Sequence, residues 1–211
     1  MITAGLVILL FTGYALYGTG LATSREQNEL LGQLRDSWDT SSRGGSDPGA
    51  GVVSVQSGEA LAVLRIPRFG EGWKPRVIVE GTSPANLRTG PGHYPGTALP
   101  GQIGNFSVAG HRATYGSGFG PMDRMRIGDA VVVETKQMWI TYLVTAIRIV
   151  RPDEADVVAP VPGQAGVKAT QRYLTLTTCD PWYSARHRLV VHALFDVATP
   201  KSAGLPAALK G

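Results

Sequence analysis

From about Glu59 onward the chain consists of short runs of β-branched and apolar residues separated by glycine and proline, and this pattern limits its possible folds most strongly. Runs of this kind, bounded by turn-forming residues, are typical of an all-β barrel or sandwich. Helix signals are few here; the clearest is Ser83 before Pro84, which predicts a cap and a turn or two through Arg88. The stretch 152–170, rich in Pro, Gly, Val and Ala, predicts a long surface loop. The predicted strands are 60–66, 76–80, 105–110, 129–134, 139–150, 172–178 and 189–197.

The N-terminal segment has the composition of a membrane anchor. Residues 1–24 carry no charged side chain, and 2–21 supply about the 20 apolar or small residues that a bilayer-spanning helix requires. We therefore expect a transmembrane anchor at 1–22. A cleaved signal peptide is the alternative, because the small residues at 20–22 are compatible with a processing site. Flanking charge does not set the orientation, since no Lys or Arg precedes the segment and Arg25 follows it.

A juxtamembrane helix and a flexible linker are predicted at 23–58. Ser24 is placed to cap a short helix in which Leu30, Leu31, Leu34 and Trp38 recur at helical spacing. We expect this helix to lie near the membrane surface or to pack on a partner. Residues 40–51 read TSSRGGSDPGAG, and this content of Ser, Gly and Pro predicts a flexible tether. The rest divides into a globular domain at 59–199 and a C-terminal tail at 200–211.

The charge balance argues against one class of function. The chain has 20 Lys and Arg against 16 Asp and Glu, and the net charge of +4 is spread along the sequence rather than clustered. A dedicated nucleic-acid binder would concentrate its basic residues, so a weakly basic surface near anionic lipid or wall polymer is the simpler interpretation.

Cys179 is the only cysteine, and it ends the threonine-rich run TLTTC. A lone cysteine cannot form an internal disulfide, so it is either inert filler or a nucleophile. Apolar runs flank the segment 180–187, and an antiparallel hairpin would place Cys179 opposite Arg188. A solvated charge at a strand end is the alternative interpretation of Arg188.

A cysteine nucleophile needs a base, because a free thiol is mostly protonated at pH 7. His111 follows the apolar run 106–110 at a predicted strand end, where Gly110 permits a close backbone approach. The turn-like setting of His93 predicts a surface histidine, His187 lies inside the loop, and His192 within the last strand predicts a structural role. The position at a strand end favours His111 as the base but does not by itself exclude the other histidines.

Two segments resemble the motifs of a known family. GQIGNFSVAGHR (101–112) and TLTTCDPWYSARHRLVVHA (175–193) resemble the histidine and cysteine/arginine motifs of sortases, the cell-wall transpeptidases of Gram-positive bacteria. The resemblance runs in order from about 59 to 197. PGHYPGTALPG, before the histidine motif, is most similar to class E sortases, the actinobacterial housekeeping type. The resemblance implies an eight-stranded sortase β-barrel, in agreement with the all-β pattern.

The resemblance also implies roles. Cys179 matches the nucleophile, His111 the acid/base and Arg188 the residue that stabilises the oxyanion, with Arg186 as a rival for the last role. The implied reaction cleaves an LAxTG- or LPxTG-type sorting signal between Thr and Gly and passes the acyl group to an amine, such as that of a cell-wall precursor or a pilin. The implied enzyme needs no metal or organic cofactor, and it would lie on the extracellular face of the cell membrane.

Two further residues are candidate substrate contacts. Tyr94 is placed to read the second position of the signal, although packing in a proline-rich turn is the alternative. Thr178 precedes the nucleophile and could bind the peptide or serve β propensity alone. Three loop acids, Asp153, Glu154 and Asp156, are interpreted as solvated rather than as a calcium site.

Two other function classes stay open at the level of sequence. A cysteine peptidase would use the same thiol and imidazole mainly for hydrolysis. A degenerate, tethered binding module would hold the peptide without turning it over.

Overall fold

A computed structural model describes residues 3, 5–7, 10, 19–43, 55–116 and 118–210. In these residues eight strands form one closed barrel in the order β1-β2-β3-β4-β7-β8-β6-β5. Most neighbouring strands are antiparallel, whereas β2–β3 and β4–β7 are parallel. The strands are β1 (Ala60–Arg65), β2 (Arg76–Glu80), β3 (Gly92–His93), β4 (Gly104–Ala109), β5 (Ala130–Glu134), β6 (Met138–Val150), β7 (Arg172–Asp180) and β8 (His187–Pro200). Helix α1 spans Thr19–Arg43 and helix α2 spans Pro84–Thr89, and short 3-10 turns occupy Pro67–Phe69, Gly120–Arg124, Ala155–Val158, Lys201–Ala203 and Ala207–Leu209.

The hydrophobic core fills the inside of the barrel, because side chains alternate between the two faces of each strand. On β7, Leu174 and Leu176 are fully buried in this core, together with Phe106 and Val108 of β4. Thr175, between the two leucines, therefore lies on the outer face. The same alternation puts the residue at position 179 outside the barrel.

The eight-stranded β-barrel expected from the sequence is confirmed, and each of the seven predicted strands is present. The strand that the sequence did not reveal is β3, which has two residues and is too short to show a periodicity. The predicted turn after Ser83 is also present: Ser83 caps α2 by accepting a hydrogen bond from the Asn86 backbone N–H.

The predicted N-terminal helix is longer than expected and packs on the barrel itself. Ser24 is not its cap, because α1 begins at Thr19 and the Ser24 hydroxyl donates to the Gly20 carbonyl within the helix. The expected apolar side of the helix covers the outer face of β1 and β2 rather than a membrane or a partner. The cluster consists of Leu34, Val63 and Val77, with Leu30, Leu31, Trp38 and Ala60 around it.

The predicted anchor at 1–22 lies mostly outside the described residues, and so does much of the linker, at 44–54. Within the described part of the chain, no helix is both long enough and apolar enough to cross a bilayer.

Candidate active site

Cys179 and Arg188 face each other across the hairpin of β7 and β8. The antiparallel register pairs Cys179 directly with Arg188. Both residues lie on the outer face of the barrel. Leu176 points into the core, so Cys179, three positions later on β7, points outward. Arg188 is on the same face of β8 as Val190, which packs outside the barrel. Cys179 is partly exposed. The Arg188 guanidinium donates to the carbonyls of Ala185 and His187 at 3.0 and 3.1 Å, so it is held at the mouth of this loop.

His111 follows the end of β4, the strand that flanks β7 on the side opposite β8. The parallel register of β4 and β7 pairs Ala109 with Thr177. Contact continues past this pair, because the Gly110 N–H donates to the Thr177 carbonyl at 3.0 Å and the Thr178 hydroxyl donates to the Gly110 carbonyl at 2.7 Å. His111 and Cys179 each follow two residues after the Ala109–Thr177 pair, so the register brings the imidazole and the thiol to the same end of adjacent strands. The ends of three neighbouring strands thus supply a histidine, a cysteine and an arginine in a row.

The His111 ring is partly buried in a small enclosure. It packs against the Tyr115 ring at a centroid distance of 5.0 Å, and Thr23 and Gln27 of α1 line the same cavity. Burial lowers the pKa of His111 below its ordinary value, and the nearby Arg88 guanidinium lowers it further. Phe119 closes the strand end: its ring would lie 2.7 Å from a Cβ at Gly110, so glycine is needed for this close approach.

Tyr94 and Thr178 occupy different surroundings. The Tyr94 hydroxyl lies 2.9 Å from the hydroxyl of Thr177, on the outer face that also carries Cys179. Thr178 is 3% exposed and its hydroxyl bonds to Gly110, so its position favours joining β7 to β4 over contact with a peptide. Strand alternation, applied to TLTTC, could have identified Thr177 as the threonine that shares a face with Cys179.

The interpretation of His93 as a surface residue is wrong. His93 is 2% exposed, stacks on Phe106, and bonds to Glu80 at 2.6 Å and to the Thr97 hydroxyl at 2.8 Å. Because the Thr97 hydroxyl also donates to the Tyr94 carbonyl, this network fixes the turn that carries Tyr94.

The structural role predicted for His192 agrees with its surroundings. Its Nδ1 lies 2.9 Å from the Thr175 hydroxyl, and burial lowers its pKa to about 4. Asn105 binds the same threonine and donates to the carbonyls of Val157 and Ala159. The predicted long loop is therefore pinned to the outer face of the barrel beside β7.

The loop acids are partly engaged in the loop itself. Asp153 pairs with Arg151 at 3.2 Å, and Glu154 accepts the Arg151 backbone N–H. In the described ranges no group of three or more acidic, histidine or cysteine side chains is arranged to hold a metal ion.

The motifs also contain two charged residues that sequence reasoning missed. Arg112 follows His111 and Asp180 follows Cys179, and the two side chains form an ion pair. Their positions next to the candidate residues on parallel strands were a signal that could have been used.

Comparisons with known proteins agree with this geometry. A family model described as Sortase domain matches residues 64–196. Among similar proteins, sortase SrtE2 of Streptomyces coelicolor is 36% identical over 203 residues, which cover 90% of this chain and 77% of that protein. Sortase SrtE1 of the same organism is 35% identical over 216 residues, covering 99% of this chain, and the chain spans 58% of the length of that relative. The solved structure of sortase E from Streptomyces avermitilis has a TM-score of 0.66 at 44% identity, covering 73% of this chain and 99% of that one.

Proposed function

The chain belongs to the sortase family of cysteine transpeptidases, and we propose that it cleaves an LAxTG- or LPxTG-type sorting signal and transfers the acyl part to an amine. The observation that carries the proposal is the row of His111, Cys179 and Arg188 at the ends of β4, β7 and β8. A thiol between an imidazole and a guanidinium on an accessible outer face suits acyl transfer from an extended peptide.

In the first half of the reaction the Cys179 thiolate attacks the carbonyl carbon of the signal threonine. The tetrahedral intermediate carries a negative oxygen, which the Arg188 guanidinium stabilises by charge and hydrogen bonding. When the C–N bond breaks, His111 as imidazolium gives a proton to the departing glycine amine. The product is a thioester between Cys179 and the threonine carbonyl.

In the second half an amine of a cell-wall precursor or a pilin attacks the thioester. His111 accepts the proton of this amine, a new amide bond forms, and the Cys179 sulfur leaves as thiolate. Because the pKa of His111 is lowered, the imidazole is a ready base for this step near neutral pH.

Arg188 is a better candidate than Arg186 for the oxyanion role. Arg188 is the cross-strand partner of Cys179, whereas Arg186 precedes β8 in the exposed part of the hairpin loop. Arg188 therefore starts from the strand position opposite the nucleophile, whereas Arg186 would have to reach the oxyanion from the loop.

Tyr94 is proposed to select the second residue of the signal. Its hydroxyl is bonded to Thr177, two residues before Cys179 on the same face of β7, and this position supports a contact with the peptide upstream of the cleaved bond. The ratio of cleavage rates for LAxTG and LPxTG peptides should change in the Tyr94→Phe variant. An unchanged ratio would remove Tyr94 from the selection step.

The catalytic domain is proposed to lie on the extracellular face of the membrane, anchored by residues 1–22. The support is the uncharged apolar sequence of this segment and the sorting chemistry proposed for the domain. The full chain should stay with the membrane fraction after alkaline carbonate washing, and protease added to intact cells should digest the barrel. Release of the full chain by carbonate would contradict the anchor.

The proposed function is tested by supplying a sorting peptide together with an amine such as triglycine. Wild type should form the ligated product, whereas Cys179→Ala should form none. His111→Ala should lose about 10²–10⁴-fold in rate, while its matched control, His187→Ala at the exposed first position of β8, should stay within about twofold. Hydrolysed peptide with no ligated product at high amine concentration would favour the peptidase alternative. Peptide binding without any turnover would favour the binding module.

A further inference from the structure

Arg112 and Asp180 connect the two segments that carry the candidate acid/base and the nucleophile. The Arg112 Nη1 atom lies 2.5 Å from Asp180 Oδ1 and 3.3 Å from the Cys179 carbonyl oxygen. The Arg112 side chain is 7% exposed and that of Asp180 is 21% exposed, so the contact is largely shielded from water. Asp123, 61% exposed, lies 3.5 Å from the other end of the same guanidinium.

These contacts begin where the regular ladder ends. The last bonds of the β4–β7 pairing in this direction are made by Gly110, to Thr177 and Thr178. Past Gly110, in the part of the chain that the structure describes, the hydrogen bonds between the two segments all come from Arg112. Without this side chain, no hydrogen bond among the described residues would join the two segments beyond Gly110, although Cys179 would stay paired with β8.

We propose that the Arg112–Asp180 pair is a positioning device that sets the distance and the charge balance between His111 and Cys179; this proposal rests on the function proposed above. A rigid guanidinium fork suits the task, because it holds a carboxylate and a backbone carbonyl at once and cannot lose its charge. Arg112 and Asp180 act through the two residues that precede them.

The pair also controls the electrostatic field at the thiol. The charged and titratable residues next to Cys179 in the strand register are His111, Arg188 and this ion pair, and Asp123 lies at the far end of the Arg112 guanidinium. A lone Asp180 carboxylate next to Cys179 would disfavour the thiolate, and a lone Arg112 would favour it. Together the two charges nearly cancel, so neither of them acts alone on the thiol.

The experiment uses the Arg112→Gln, Asp180→Asn and double variants. Cys179 is the only thiol, so the rate of iodoacetamide alkylation across pH 6–9 reports on this residue alone. The second readout is the kcat for peptide ligation, and the third is thermal stability. The matched control is a second ion pair, formed by Arg68 of the 3-10 turn Pro67–Phe69 and Asp129 just before β5, changed to Arg68→Gln and Asp129→Asn.

The two single variants should shift alkylation in opposite directions. At pH 7 we expect Arg112→Gln to slow alkylation about fivefold and Asp180→Asn to speed it by about the same factor, with the double variant close to wild type. Ligation kcat in the double variant should nevertheless fall at least about tenfold, because the distance between His111 and Cys179 is no longer set. The control pair should change thermal stability without changing alkylation.

Alkylation rates equal to wild type, or shifted in the same direction by both variants, would overturn the proposal and leave a purely structural ion pair. If Arg112→Gln does not fold, Arg112→Lys replaces it, because lysine keeps the positive charge but has no guanidinium fork. This variant should alkylate at the wild-type rate and still have a reduced ligation kcat. A wild-type kcat in Arg112→Lys would also overturn the proposal. Alkylation needs no sorting peptide. A wild type that fails to ligate while the variants show opposite shifts would therefore refute the transpeptidase and leave the positioning role standing.

Discussion

Gln27 is predicted to hold α1 on the barrel by completing the edge of β2. Its side-chain amide acts as a short piece of neighbouring strand: Oε1 accepts from the Val77 N–H at 2.7 Å, and Nε2 donates to the carbonyls of Val77 and Thr89 at 3.2 and 2.9 Å. The β2–β3 ladder pairs Val79 with Gly92 and does not reach Val77. Gln27 thus satisfies a strand edge that would otherwise be unpaired.

The expected cost of Gln27→Ala follows from these contacts. Gln27 is 5% exposed and Val77 1%, so the variant leaves a buried N–H group without a partner. Three net hydrogen bonds and this unsatisfied donor amount to about 2–4 kcal/mol of unfolding free energy. For a chain of this size that corresponds to a fall in Tm of about 5–15 °C.

Gly90 supplies an internal check, because it makes room for the same amide. A Cβ at Gly90 would lie 2.2 Å from Gln27 Nε2 and 3.0 Å from the Val77 carbonyl oxygen. Gly90→Ala should therefore displace the Gln27 side chain and destabilise the protein. In the Gln27→Ala background the larger clash is gone, so Gly90→Ala should cost at least about 1 kcal/mol less there.

Urea unfolding of the four proteins in this cycle measures both effects. The matched control is Gln33→Ala, the same substitution at an exposed position of α1, which should stay within about 0.5 kcal/mol of wild type. A loss below about 1 kcal/mol for Gln27→Ala, or additive effects of the two substitutions, would refute the reasoning that the amide replaces a strand.

Three further predictions concern charge at and near the site. Arg88→Gln should raise the pKa of His111, because it removes a cation that disfavours the imidazolium, while burial keeps the pKa below 6.5; an NMR titration that shows no rise would contradict this. His192 has a pKa of about 4 against 6.5 when unfolded, so its contribution of roughly 3 kcal/mol is full above pH 6.5 and is lost as the pH falls towards 4. Urea unfolding at several pH values should show a flatter acid dependence for His192→Gln, and an equally steep one would refute the assignment. Arg188→Lys should lower the rate of thioester formation by about 10²-fold, whereas Arg186→Lys should stay within about twofold; the reverse order in stopped-flow acylation would give the oxyanion role to Arg186.

The barrel was predictable because its strands are long enough to show their pattern. β-branched runs such as those of β2 and β5 alternate between the interior and the outer face, and Gly and Pro mark their ends. A strand as short as β3 carries no such pattern. Its pairing arises from the tertiary positions of β2 and β4, which sequence periodicity does not describe.

The packing of α1 on the barrel was only partly predictable from the sequence of the helix. The apolar stripe of Leu30, Leu34 and Trp38 predicted the helix but not what it covers. Gln27 lies on the same stripe, one turn earlier, and a polar residue in that position was a sign that the helix meets backbone groups rather than lipid.

The residues of the candidate site were predictable where their chemical type indicates their role. They were less predictable where the role depends on the three-dimensional arrangement of the strands. The pairing of Cys179 with Arg188 follows from the hairpin, and the structure places the two residues opposite each other. The buried ion pair of Arg112 and Asp180 depends on where the parallel ladder of β4 and β7 stops. The two residues stand next to the candidate residues in the sequence, and this suggests the pair, but nothing in the local sequence marks where the ladder stops.

The central claim is that Cys179 becomes acylated by a sorting signal. Intact-protein mass spectrometry after incubation with an LAxTG peptide tests it directly. The account predicts a covalent adduct of the peptide cleaved after threonine, localised to Cys179, released by hydroxylamine and absent in Cys179→Ala. No adduct on a folded wild type, or an adduct that persists in Cys179→Ala, would contradict the account.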